Sequence, residues 1–249
     1  MPEAQGVIKK LFLSIFALFV LFSLTTCGLD TYSIVPAPTS VIHEPVYTSA
    51  DYAANYFSFT APTVGENDVP NLRFLGTAVY YRIYANSSTM LSRQSSISAV
   101  NTASDYSAAA TKMIGYGYQQ LNTSLGNVQP LINADGGVVT IRLTNYGDED
   151  NPNNEYRAQI SVLNRVPRRA IGTTKTFDFG RNANPKYNSE YNALPASGDE
   201  DFESGTVSDN KYYVDMYAVC LGRDSTYTIF YSNVLHLGSV PIDMTAENN

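Results

Sequence analysis

The chain has 249 residues, 16 basic and 23 acidic, for a formal charge of −7, and two cysteines. An acidic balance without a broad basic patch repels phosphate backbones, so nucleic acid is excluded as an expected partner. With 19 tyrosines, no tryptophan and only 16% charged residues, the composition suits half-buried pleated strands. No cofactor is expected, since the sequence holds no glycine-rich phosphate loop and no H-E-x-x-H.

Residues Leu11 to Leu24 are apolar apart from Ser14 and Ser23, and Lys9 and Lys10 precede them. A basic start, a short apolar run and then small residues is the layout of an export signal. The run falls short of the about 20 apolar residues that span a bilayer, and no basic stop-transfer cluster follows. Cleavage is therefore expected over residues 1–26. The sequence Leu24-Thr25-Thr26-Cys27 resembles the bacterial lipobox, with Thr26 where Gly, Ala or Ser is usual. The resemblance implies that Cys27 carries lipid and begins the mature chain; the alternative is a cysteine after an ordinary signal peptide. Loss of Lys9, Lys10 and Glu3 leaves 14 basic against 22 acidic residues, a charge of −8. Several acyl chains hold a protein stably to a bilayer. Residues 27–46, with prolines at 36, 38 and 45, are expected to be a spacer. With Cys27 lipidated, Cys220 has no disulfide partner and is expected in the core.

In chain order, residues 76–86 alternate: Val79, Tyr81 and Ile83 share one face, and Ala78, Tyr80, Arg82 and Tyr84 the other. Residues 101–115 place Tyr106, Ala109, Ala110, Met113 and Ile114 at helical spacing, with Gly115 or Gly117 to end the helix. Residues 136–146 and 155–166 read as a hairpin, and Arg165, Arg168 and Arg169 as a solvated turn around Pro167. A short strand is expected within 175–180 and a long polar loop over 181–211. Within 212–222, Tyr212, Val214, Met216, Ala218 and Cys220 share a face assigned to the core. Asp215 and Tyr217 lie opposite and are assigned to solvent, because an unpaired buried carboxylate would cost several kcal/mol. A turn at Gly222-Arg223-Asp224 leads to a last strand through 227–237.

The paired strands at 212–222 and 227–237 resemble the last two strands of a fibronectin type III domain, and "AVYYRIY" resembles its third. The likeness implies a mainly β fold: an immunoglobulin-like β-sandwich over residues 47–249, with an insertion at about 87–211 holding one short helix and an extra hairpin. Tyr212 would tie down a strand corner. Together with the relaxed lipobox and the "CGLD" opening, the chain resembles spirochaete lipoproteins of unassigned function.

Chemistry is sparse in the sequence. Asp148 and Asp150 in one polar loop, and Asp199 and Asp201 in another, offer the hard oxygens that calcium prefers, without an EF-hand pattern. His43 and His236 belong to no zinc or nucleophile motif. The expectation is a non-enzymatic, lipid-anchored protein of the cell envelope, at the outer membrane or cell surface, whose sandwich binds a protein or glycan or serves as a structural part. Tyr80, Tyr84 and Tyr217 are the candidate contact patch, since tyrosine gives large area at low entropy cost. The alternative is an envelope enzyme acting on glycans through loop carboxylates.

Overall fold

Long stretches of alternating β-branched and aromatic residues bury both faces of the central strands, and this sets the architecture. The structure is a computed structural model that describes residues 34–49, 51–64, 69, 71–123, 130–133, 135–144, 158–171, 175–177, 179, 195–207 and 211–243. The expected signal segment, Cys27, Asp148 and Asp150 lie outside the described residues. The fold is mainly β, with antiparallel sheets and, among the described residues, two α-helices. None of the described helices is long and apolar enough to cross a membrane.

One sheet has the order β1 (Ser40–His43), β2 (Phe57–Thr63), β6 (Asp135–Arg142), β7 (Gln159–Ile160). The other centres on β3 (Arg73–Tyr84), which pairs antiparallel with β11 (Lys211–Arg223); β11 pairs in turn with β12 (Ile229–Asp243). On its free side β3 takes β4 (Gln119–Gln120) and, in parallel, β10 (Phe202–Glu203). A third small sheet joins β5 (Asn122–Thr123), β8 (Pro167–Ile171) and β9 (Lys175–Phe177).

The period-two reading holds for both central strands. Val79, Tyr81 and Ile83 of β3 and Val214, Met216 and Ala218 of β11 meet Phe57, Phe59, Val139 and Ile141 of the other sheet in one buried cluster. Cys220 extends that face into a smaller cluster with Val35, Leu72 and Phe74; it is fully buried, and burial pushes its thiol up to about 12. On the outside of the first sheet, hydroxyls pair across strands: Ser40 with Thr60, and Ser58 with Thr140, each at 3.3 Å.

The second face of the β3–β11 pair is covered as well, which the alternation did not show. α1 (Ser87–Ser98) and α2 (Ala108–Gly115) lay Met90, Ile97, Ala109, Ala110 and Met113 onto Ala78, Tyr80, Tyr84, Tyr213 and Tyr217. Asn86 starts α1: its backbone is extended and its side chain accepts the Thr89 N–H at 2.9 Å, an N-cap that stabilises by about 1 kcal/mol. α2 starts later than the apolar stripe suggested, because the Asp105 carboxylate takes the N–H groups of Ser107 and Ala108. Gly117 follows with φ +81°; the Arg82 guanidinium lies where a Cβ would stand, so a side chain there meets both strain and a clash.

Three further expectations are corrected. The expected hairpin forms between β6 and β7, but among the described residues of 155–166 its pairing is confined to Gln159–Ile160, after which the chain folds back through a turn in which the Ile160 N–H meets the Arg165 carbonyl at 2.8 Å. The arginine-rich stretch after it is strand β8, and Arg169 is fully buried. The packed body also begins before residue 47: Val35, Pro38 and Pro45 are buried, and β1 pairs with β2, since an apolar hollow and an open strand edge are there to receive them.

β12 is an edge strand, and two contacts stand against that edge. The Asn101 side chain donates to the Val234 carbonyl at 2.9 Å and accepts the Val234 N–H at 3.1 Å, as a neighbouring strand would. At Gly238, φ +109°, a Cβ would lie 2.8 Å from both Glu44 and Pro45, so the segment after β1 sits directly on the bare backbone.

Candidate functional site

The register of β11 puts Asp215 opposite Arg82 and Ser239, on the face shared with Tyr213 and Tyr217. Asp215 is completely buried, so the assignment of this side chain to solvent is overturned. The physical premise survives, because the carboxylate is paired rather than bare. Its Oδ1 accepts from Gln94 Nε2 on α1, Ser239 Oγ and His236 Nε2, each at 2.8 Å. Its Oδ2 accepts from the Tyr118 hydroxyl, which follows α2. Gln94 Nε2 also donates to Ser239 Oγ at 2.9 Å, closing the group on itself.

One chain of contacts runs from this buried carboxylate to the surface. His236 Nδ1 faces Glu44 Oε1 at 3.4 Å, so the imidazole lies between two carboxylates, one buried and one 56% exposed. Burial alone would lower the His236 pKa, but the hydrogen bond and charge of Asp215, joined by Glu44, outweigh it and the net direction is up. The Tyr217 ring packs 4.8 Å away and Tyr118 stands edge-on to it at 5.5 Å. Burial raises the hydroxyl pKa values of Tyr80, Tyr84, Tyr118 and Tyr217, and the Asp215 charge adds to this for the last three, so all four stay neutral.

A pH dependence follows. A group whose pKa is raised on folding adds stability while it is protonated in both states, and loses it as pH climbs through the raised value. The contribution of His236 is therefore full below its ordinary range near 6.5 and fades on the alkaline side. We expect the thermal midpoint to fall from pH 6 to pH 8.5, and the His236→Gln variant to show a flatter profile over that interval. A variant profile as steep as that of the parent would remove His236 as the cause.

Aspartate, histidine and serine are all present here, yet not wired as a nucleophilic triad. There the hydroxyl donates to the imidazole; here Ser239 and His236 both donate to one oxygen of Asp215. What the arrangement can do is hold a proton on His236 and lock α1, the segment after α2, β11, β12 and Glu44 together.

A second polar cluster joins the third sheet to the loop before β10. Arg169 Nε and an Nη of Arg169 both donate to Asp201 at 2.8 Å, a bidentate pair in which both side chains are buried. The same Nη reaches Asp199 at 2.9 Å, and the Tyr81 hydroxyl donates to Asp201 at 2.8 Å. Nearby, Glu203 bridges Arg82 at 3.3 Å and Arg93 of α1 at 2.8 Å. The two candidate calcium ligands among the described residues, Asp199 and Asp201, therefore face a guanidinium, which occupies the oxygens a cation would need. Among the described residues no three His, Cys, Asp or Glu side chains converge as metal ligands would.

The tyrosine contact patch is also corrected. Tyr80, Tyr84 and Tyr217 are 8%, 0% and 3% exposed, because α1 and α2 lie over them. Tyr212 is buried beside Phe202, and its hydroxyl stands 3.5 Å from the Pro195 carbonyl. His43 does not hang on a linker: its ring stacks on Tyr56 at 3.9 Å, and Nε2 lies 2.9 Å from the Ala54 carbonyl. Sequence reading missed Gln94, Tyr118, Arg169 and Glu44 as members of polar clusters. The signal available for Gln94 was its place between Met90 and Ile97, at three- and four-residue steps along α1. Comparison with known proteins gives no match: no family model, no curated protein and no solved structure is similar to the chain.

Proposed function

We propose that the protein is a lipid-anchored component of the cell envelope, at the outer membrane or cell surface, whose β body serves as a binding or structural module. The observation that carries the reading is the apolar run ending in Leu24-Thr25-Thr26-Cys27, the lipobox-like sequence. The body's character supports it. Its described acidic side chains are spent largely on internal clamps, as with Asp201 on Arg169 and Asp215 on four donors, which suits a rigid module more than a reactive cleft. An immunoglobulin-like arrangement is the finer reading of the fold; adjacency of β3, β11 and β12 in that order supports it.

Mass spectrometry of the mature chain from its native host tests the anchor. The expected result is a polypeptide beginning at Cys27 and heavier by its acyl groups. A chain starting elsewhere, or a bare Cys27, overturns the reading. Crosslinking in the native membrane followed by co-purification then identifies what the module holds.

A further inference from the structure

The β11–β12 hairpin exposes apolar side chains at its tip. Tyr227 is 74% exposed, and Ile229 and Phe230 are each 38% exposed. Tyr227 also holds φ +68°, a left-handed conformation that favours glycine or asparagine over a bulky aromatic. Arg223 lies directly across from Ile229 in the register and opposite Arg73 of β3; its guanidinium sits 4.8 Å from the Tyr227 ring centroid. The one described acidic side chain of the turn, Asp224, accepts the N–H groups of Thr226 and Thr228 at 2.9 Å, and these bonds hold it in its charged form. The tip is thus apolar and aromatic, and Arg223 with Arg73 outnumbers Asp224 there by one charge on a protein that is acidic overall.

The described chain begins at the same end of the sheet. Gly222 pairs with Phe230 on β12 and Phe74 on β3. In place of a side chain it receives Leu72 and Val35: a Cβ there would stand 1.8 Å from Leu72 Cδ2 and 3.1 Å from Val35 Cγ2. The preceding residue, Ile34, is 46% exposed. Six residues separate Cys27 from Ile34, seven Cα–Cα steps with a covalent reach of at most about 25 Å.

We infer that this end of the body rests on the lipid surface, with Tyr227, Ile229 and Phe230 seated among the headgroups and Arg223 facing anionic phosphates. The inference rests on the reading of Cys27 as the lipid anchor. A short leash joined to this end keeps the tip within reach of the bilayer. Aromatic rings with one polar edge favour the headgroup layer, and cations there are drawn to anionic lipid.

The test uses the full mature lipoprotein reconstituted into vesicles of phosphatidylcholine and phosphatidylglycerol, with Tyr227→Cys carrying a polarity-sensitive fluorophore. Thr206→Cys is the control, on the exposed loop beside Gly205 and Asn86 near the opposite end of β3, and Cys220 is too buried to label. The label at 227 is expected to shift to the blue and to be quenched severalfold by spin-labelled lipid, while the label at 206 keeps its aqueous spectrum. An aqueous spectrum at 227 on protein whose acylation has been verified by mass overturns the inference and leaves the anchor reading standing. A blue shift without lipid quenching, the mark of a second protein copy on the tip, also overturns it. If Cys27 proves unacylated, the anchor reading falls separately. The labelled chain is then mixed with the same vesicles: a blue shift with lipid quenching supports the tip's affinity, and an aqueous spectrum ends it.

Discussion

Replacing Arg169 with methionine is expected to lower the unfolding free energy by about 3–5 kcal/mol, the cost of leaving a buried carboxylate without its cation. Arg169 and Asp201 are each 0% exposed, and the two parallel hydrogen bonds between them leave no route for water to replace the guanidinium. The Tyr81 hydroxyl would remain on Asp201, but one neutral donor does not balance a buried charge. The double variant Arg169→Met/Asp201→Leu removes both charges and is expected to recover most of the loss, because a well-packed apolar pair often equals a buried ion pair. Urea denaturation of the three proteins measures this. A single variant within about 1 kcal/mol of the parent would show that the pair does not hold β8 to the loop before β10.

The second large effect is expected at Asp215. Asp215→Ala takes the acceptor away from four donors at once. They do not suffer equally. His236 is 32% exposed and can turn to water, and Gln94 keeps Ser239 as a partner. The Tyr118 hydroxyl, at 2% exposure, is cut off from water and has only the neighbouring Tyr84 hydroxyl to turn to. An orphaned buried donor costs about 1–3 kcal/mol, and the vacated space adds to it, so a total of about 3–5 kcal/mol is expected. Two companion variants sharpen the reading. Asp215→Asn keeps an acceptor oxygen and should lose less. Tyr118→Phe should be clearly destabilising in the parent but nearly neutral in the Asp215→Ala background, since the orphan is then already gone. Additive losses in that double-mutant cycle would mean that the hydroxyl and the carboxylate act independently.

The strands were legible because their signal is local. Val79-Tyr81-Ile83 and Val214-Met216-Ala218 face the core by simple alternation, and the structure places them there. Cys220 falls in the core by the same parity. Alternation says which side chains share a face but not what lies over that face. Hence Asp215, Tyr80, Tyr84 and Tyr217 were assigned to solvent although two helices cover them. α1 was hidden by its composition: six serines in twelve residues with only Met90 and Ile97 buried give little helical periodicity. Its one clear mark, Asn86 as a cap, reads equally well as a loop residue. Arg169 escaped notice for a different reason. Its partner Asp201 lies 32 residues away, and no spacing rule reports a pairing made by tertiary folding. Cys27 and the loop at Asp148 and Asp150 lie outside the described residues, so the lipid anchor stays a proposal from sequence.

The way β12 is finished at its border bears on how many copies can crowd together without harm. A 15-residue terminal strand with an unguarded rim is a template on which further chains can polymerise into fibrils. Here the amide of Asn101 closes the rim at Val234, and the Glu44–Pro45 crossing closes it again at Gly238. A second chain approaching that rim therefore meets it interrupted at two points and not as one continuous ladder of free amides and carbonyls.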